Sequence, residues 1–264
     1  MRSMRYITPE AIMRSRFGDN ARPQWDAAVL CFRSHEGSRL VAQMLGAKPL
    51  GYKVLWGMDE VPAYPLAHEF AVGKARVGLI ARCLWGGPQT AVLVEELAYL
   101  GVRHLIGIGA AGSIAADLPR GTQIVATAAL TTDGTSRAYT DGTEVHVNPA
   151  IYAAIQRVER VRPWRLRAVK VATIDAIYRE TDTLIQALAG RGAETVNMEV
   201  TPFYAASAVC GVESVWIGHV SDCLVNHTWE SWDNLEQMTA QSAQIGLDVL
   251  EELLRQERIA GGNV

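Results

Sequence analysis

Two acidic residues draw attention by their setting. In VNMEVTPFYAASAVCGVESVWIGHVSD (196–222), Glu199 follows a short β-type run and Asp222 ends a longer one, VWIGHVS. Most of their neighbours are apolar or small, and an unpaired charge in such surroundings is costly. Two readings are open for each. Glu199 precedes TPFYAASA, so it is either a carboxylate favoured by a helix N-terminus or a ligand group. Asp222 is either a cap for its own loop or a ligand group. Two carboxylates facing one ligand can divide the chemistry. An ionised one stabilises positive charge developing on a substrate. A protonated one gives its proton to a leaving group.

The elements that must hold these groups alternate along the chain. Strand-like runs are AAVLCF (27–32), YKVLWG (52–57), RVGLIARCL (76–84), HLIGIG (104–109), TQIVATAALTT (122–132), RAVKVATI (167–174), TVNME (195–199) and VWIGHVS (215–221). Helical runs are SRLVAQML (38–45), GPQTAVLVEELAYLG (87–101), PAIYAAIQRVERV (149–161), ETDTLIQALAGRG (180–192), PFYAASAVCG (202–211) and a last helix over about 232–258. Pro88 opens the second of these and Gly101 closes it. HLIGIG is expected to run into a glycine turn, GAAGS (109–113), and DGTS (133–136) is a further turn. Such alternation predicts one α/β domain over residues 1–264, with its core at about 27–255, built on a mostly parallel or mixed central sheet flanked by helices. Ligands of such sheets sit at the carboxyl ends of the strands. Glu199, Asp222 and the GAAGS segment all fall there.

Bulk composition narrows the classes. The 264 residues are 49% hydrophobic and 20% charged, with net charge −3, so a nucleic-acid partner is not expected. Cys31, Cys83, Cys210 and Cys223 lack metal-type spacing and read as reduced core thiols of a cytoplasmic protein. No metal site is expected. The N-terminal MRSMRYITPEAIMRSRF has no apolar segment of signal-peptide type, and no run reaches membrane-span length. The glycine-rich HLIGIGAAGSI is weak as a dinucleotide fingerprint, because ADLPRGTQIVA leads straight into the next strand instead of a helix.

Taken together, LWGGPQTAVLVEELAYLGVRHLIGIGAAGSIAADLPRGTQIVATAAL, VNMEVTPFYAASA and GHVSD resemble the core of the nucleoside phosphorylase and nucleosidase superfamily, over about residues 27–255. One departure is Gly121-Thr122, where the family pattern has Gly-Asp. The resemblance implies a central mixed sheet, active sites near subunit interfaces of a homodimer or homohexamer, and cleavage of the N-glycosidic bond of a small nucleoside. It places Met198 and Glu199 at the ribose, the glutamate accepting from the 2′- and 3′-hydroxyls. It makes Asp222 the acid that protonates N7 of a purine. LTTDGTSRAY and VNHTWES resemble the uridine phosphorylase branch. That branch, however, reads uracil with a Gln and an Arg from an insertion absent from ATIDAIYRETD, and it lacks the Ser-Asp. A purine-like base pocket is therefore expected. Ile177 and Tyr178 lie in the base-contacting stretch, and Ile177 takes the place of the usual stacking phenylalanine.

The nucleophile is read from what the resemblance lacks. Phosphorylases of the family hold phosphate with a Gly-Asp-Pro loop and an arginine after the first strand, an arginine on the strand before the glycine turn, a hydroxyl in that turn, and an arginine from a neighbouring subunit. Here those positions hold CFRSHEGSR, Gly107, Ala110 after Gly109, and His68. Fixed charge-assisted donors are what such a site needs, and several are gone together. Arg33 and Arg39 are the residues that could rebuild an anion site. Glu36 falls where the family's hydrolytic members carry a water-activating glutamate. Its other reading is a solvated residue in a first helix turn, and His35 is the substitute base. His35, His68 and His219 each read first as structural or surface residues. The expected function is hydrolysis of a purine-type nucleoside with no cofactor. The alternatives are phosphorolysis, with phosphate as co-substrate at a rearranged site, and a non-catalytic nucleoside-binding protein.

Overall fold

The computed structural model describes residues 5–18, 23–58, 67–225, 228–230 and 235–261. The elements run α1 (Pro9–Phe17), β1 (Ala27–Cys31), α2 (His35–Met44), β2 (Lys48–Pro49), β3 (Ala67–Val72), β4 (Ala75–Ile80), α3 (Gly87–Tyr99), β5 (His104–Ser113), β6 (Gln123–Leu130), β7 (Glu144–His146), α4 (Pro149–Glu159), β8 (Arg167–Thr173), α5 (Asp182–Gly190), β9 (Thr195–Asn197), α6 (Val200–Cys210), β10 (Glu213–Val225), β11 (Thr228–Glu230) and α7 (Leu235–Gly261). The described strands form one mixed sheet in the order β11-β10-β6-β8-β9-β5-β1-β4-β3-β2, with β7 on β6. Strand β10 also pairs in parallel with β5, so β5, β9, β8, β6 and β10 close into a ring. Helices flank this sheet, as the alternation predicts.

Local chemistry accounts for the helix ends. Ser34 Oγ accepts from Gly37 N and starts α2; Asn148 Oδ1 does the same for α4 with two amides. Gly101 (φ 90°) follows α3 and Gly211 (φ 71°) follows α6, in the left-handed region that glycine enters without steric cost. The core runs through both sheet faces, from Leu30, Leu79 and Ile106 to Phe203 and Trp216, all fully buried. The four cysteines are unpaired, with Cys210 half-buried and the other three buried.

Three expectations need correction. GAAGS (109–113) is not a turn but the second half of β5. Its glycines, with Gly107, serve close packing: a Cβ at Gly107 or Gly109 would lie 2.8 or 2.7 Å from the Trp216 indole, and one at Gly112 would lie 2.8 Å from Leu224. YKVLWG is not a strand. Val54 and Leu55 are buried, and Trp56–Met58 form a single 3-10 turn whose Gly57 N–H donates to the buried Glu96 carboxylate of α3. Asp222 does not end its strand, because β10 continues to Val225 and pairs back with β11. Strand β3 lies in the stretch read only for His68. The predicted start of the last helix, at 232–234, lies outside the described residues.

Candidate active site

Glu199 lies between the end of β9 and the start of α6, facing the loop after β4. It is 4% exposed and is the N-cap residue of α6. Its side chain makes no capping bond. Asn197 takes that duty, its Oδ1 accepting from Glu199 N and Val200 N at 3.3 Å each. The Glu199 carboxylate is thereby left for another use. Oε1 accepts from Gly86 N (3.2 Å), in the loop after β4; Oε2 accepts from Met198 N (3.3 Å) and Asn197 Nδ2 (3.4 Å). Burial lifts the carboxyl to about 7, against the opposing pull of those amides and the Arg33 charge. Met198 packs against a small satellite core of Leu130, Ala172, Ile174, Leu188, Ala193 and Val196.

Asp222 is aimed by a bulge. The β10–β5 register shifts between Val220 and Asp222, leaving Ser221 as the extra residue. Ser221 Oγ donates to Asp222 Oδ1 at 2.6 Å, and Trp229 Nε1 donates from β11 to Oδ2 at 3.0 Å. Among the described residues, the hydrogen-bond partners of the Asp222 carboxylate are both side chains. Glu180 closes the 3-10 turn Ile177–Arg179 after β8. Its carboxyl is raised to about 7 by burial and then by the Asp222 charge.

Arg33 follows β1 and carries the cation of the site. Its charge reaches both Glu199 and His219, and its buried Nε has no hydrogen-bond partner among the described residues. Glu36 shares a cleft of about 450 Å³ with Arg33, between the first turns of α2 and α7. His219 is fully buried, with Nδ1 3.2 Å from Ser242 Oγ. Burial and the Arg33 charge push its pKa down to about 3, so it stays neutral at pH 7.

The structure thus gathers Glu199, Met198 and Arg33, and gathers Asp222 with Ser221 and Trp229. Glu36 adjoins the first group through Arg33. Arg39 is exposed on α2 and stands apart. Ile177 and Tyr178 occupy a 3-10 turn after β8; Tyr178 is 98% exposed and walls no enclosed pocket in one chain. Gly109 and Ala110 lie within β5, Gly109 under Trp216. His35 opens α2, and His68 lies on β3 opposite Leu79. Sequence reading missed Glu180, Trp229, Asn197 and Gly86. Asn197 adjoins the Met-Glu segment and could have been read as a cap; the others carry no local signal.

Such an arrangement can hold a polar, hydroxyl-bearing group at Glu199, donate to or accept from a ring at Asp222, and attract an anion at Arg33. The family model described as phosphorylase superfamily matches residues 41–255. The chain is 29% identical over 168 residues to a DeoD-type purine nucleoside phosphorylase of Bacillus cereus, a span covering 62% of this chain and 71% of that protein. It is 28% identical over 151 residues to an uncharacterised protein of Acanthamoeba polyphaga mimivirus, covering 57% of this chain and 59% of the viral protein. Among solved structures, the AMP nucleosidase of Bacteroides thetaiotaomicron superposes with a TM-score of 0.71 at 16% identity, covering 95% of this chain and all of that one, a likeness of fold.

Proposed function

The chain belongs to the phosphorylase superfamily, and we propose that it cleaves the N-glycosidic bond of a purine-type nucleoside, with water as the nucleophile. The observation that carries the reading is the buried Glu199 carboxylate, released from capping by Asn197 and held by the Gly86 and Met198 amides. Cleavage leaves positive charge on the ribose and negative charge on the departing base. Glu199 accepts from the ribose hydroxyls and stabilises the first. Asp222 meets the base, where a proton neutralises the second.

Water is favoured by the fate of the strand arginine. Position 107 is glycine, and the Trp216 indole fills the space a side chain would need. Glu36, in the cleft beside Arg33, is the group that takes a proton from attacking water. One observation favours phosphorolysis as the second reading: Arg33 keeps a cation near Glu199, with a buried Nε that has no partner among the described residues. A panel of nucleosides assayed for base release, with and without phosphate, tests both. Dimer or hexamer formation, with Ile177 and Tyr178 completing the base wall against a second subunit, is part of the same proposal.

A further inference from the structure

The first turn of α6 asks nothing of the Glu199 side chain, because its amides are satisfied from elsewhere. Asn197, the last residue of β9, sets its Oδ1 3.3 Å from Glu199 N and from Val200 N. Thr173 Oγ1, at the end of β8, accepts from Thr201 N at 3.0 Å, and Pro202 has no amide hydrogen. Thr173 and Asn197 are register partners in the parallel β8–β9 pair, and Thr173 Oγ1 donates to Asn197 Oδ1 at 3.1 Å. Asn197, Thr173 and Thr201 are all buried.

These donors settle the sense of the Asn197 amide. Two backbone N–H groups and a hydroxyl meet one side of it, and a backbone N–H can only donate. The oxygen has to occupy that side, because turning the amide over would set its NH2 against both N–H groups. Nδ2 is thereby left facing Glu199 Oε2 at 3.4 Å. An NH2 group can only donate, so it favours the ionised glutamate, as do Met198 N on the same oxygen and Gly86 N on the other. Burial works against them and leaves the carboxyl at about 7. So close to neutrality, one donor changes how much of Glu199 is charged at pH 7. The titratable groups whose charges interact with Glu199 are Arg33, after β1, and Cys83, after β4. Burial holds the Cys83 thiol well above its ordinary range, and so neutral.

We propose that Asn197 is a positioning residue for Glu199, with Thr173 setting its orientation: one end of its amide caps α6 in place of the glutamate, and the other end holds one oxygen of the glutamate's carboxylate. This rests on the nucleoside-cleaving reading for what Glu199 meets, and deepens it by naming the group that prepares the sugar carboxylate. Asn197 acts through Glu199, so its loss is read in the ionisation of that carboxyl. Asparagine and aspartate cap a helix about equally well, but only asparagine offers a donor to Oε2. At position 197 the two therefore differ in positioning and not in capping.

The test has two arms on the whole chain. The first needs no substrate: side-chain carboxyl ¹³C NMR titrations of the parent, Asn197→Asp and Asn197→Ser, the Glu199 signal being the one missing from Glu199→Gln. The expected result is a Glu199 midpoint raised by about one pH unit or more in Asn197→Asp, which sets an acceptor against Oε2. Asn197→Ser keeps a capping oxygen and loses the donor, and should raise the midpoint by less. A midpoint unchanged in Asn197→Ser overturns the proposal, and that variant carries this arm alone if Asn197→Asp does not fold. The second arm is the pH profile of kcat on a purine nucleoside. Asn197→Asp should lose about tenfold or more at pH 7 and regain part of it as pH rises, its acid limb being displaced upward. Thr173→Ser keeps the hydroxyl and should stay within about twofold of the parent. If the parent releases base and Asn197→Asp matches it, or loses activity equally at every pH, Asn197 is a cap alone and the proposal fails by itself. If the parent releases no base from any nucleoside, the nucleoside-cleaving reading fails, and the NMR arm still decides the role of Asn197.

Discussion

The indole N–H of Trp229 donates to Asp222 Oδ2 at 3.0 Å, across the β10–β11 hairpin. With Ser221 on the other oxygen, it fixes the plane of a carboxylate that resumes the ladder opposite Gly112 just after a bulge. A carboxylate has about four lone-pair sites, so a base can reach Asp222 with both donors in place. Trp229 is therefore a positioning residue. Trp229→Phe keeps the ring and removes the donor. Because the indole is exposed, the expected loss is modest, about three- to tenfold in kcat with KM little changed. Steady-state kinetics on a purine nucleoside read this; an unchanged kcat would leave the contact without a role.

Glu199→Gln keeps shape and removes charge. Turnover should fall roughly 100-fold or more, because the lost interaction is strongest when the ribose is cationic. Turnover within threefold of the parent would remove Glu199 as the sugar carboxylate.

The same substitution makes a stability prediction of opposite sign. Burial raises Glu199 to about 7 from 4.5. A carboxyl whose pKa is raised by folding contributes stability that is present below about 4.5 and lost as pH rises through about 7. Charging it in the folded state then costs at most about 3 kcal/mol. The ligand-free Glu199→Gln protein should melt above the parent at pH 8, and the gap should narrow sharply by pH 5. Calorimetry at both pH values checks this; a gap independent of pH would contradict it.

Asp222→Asn cannot hold a proton for the base. Cleavage of adenosine- or inosine-type substrates should collapse, while p-nitrophenyl riboside should survive far better. Equal losses on the two substrates would reduce Asp222 to a structural residue.

Gly107 tests the packing that excludes an arginine. A Cβ there would stand 2.8 Å from Trp216 Cδ1 and 3.3 Å from Phe203 Cε1. Gly107→Ala should cost about 1–3 kcal/mol by overpacking, a fall of several degrees in Tm. Pairing it with Trp216→Leu should show a coupling energy in the double-mutant cycle. Additive losses would mean that the indole is not what fills the space.

Much of this was legible in the chain because it rests on local signals. Pro88 and Gly101 bracket α3; apolar runs fix β1, β6 and β8; the Met-Glu segment marks the end of β9. What was not legible depends on contacts between distant segments. GAAGS reads as a turn until Trp216, more than a hundred positions away, is seen lying on Gly107 and Gly109. YKVLWG has strand composition, but Glu96 of α3 pulls Gly57 into a 3-10 turn. Glu180 reads as the opening of a helix, and in the fold it closes the 3-10 turn before α5. Trp229 reaches Asp222 because β10 runs past it and returns, and nothing in VSDCLV announces that return.

Base release in phosphate-free buffer, with the sugar product identified, tests the central claim most directly. The expected result is free purine and an equal amount of free ribose or its 5′-derivative, at a rate that added phosphate does not raise. Glu36→Gln should slow it while leaving substrate affinity largely intact, because the base acts on water. A ribose 1-phosphate product with a rate that saturates in phosphate, and that Arg33→Met abolishes, would contradict hydrolysis and assign Arg33 to the phosphate. No base released from any nucleoside under either condition would contradict the claim that the Glu199–Asp222 site cleaves the N-glycosidic bond.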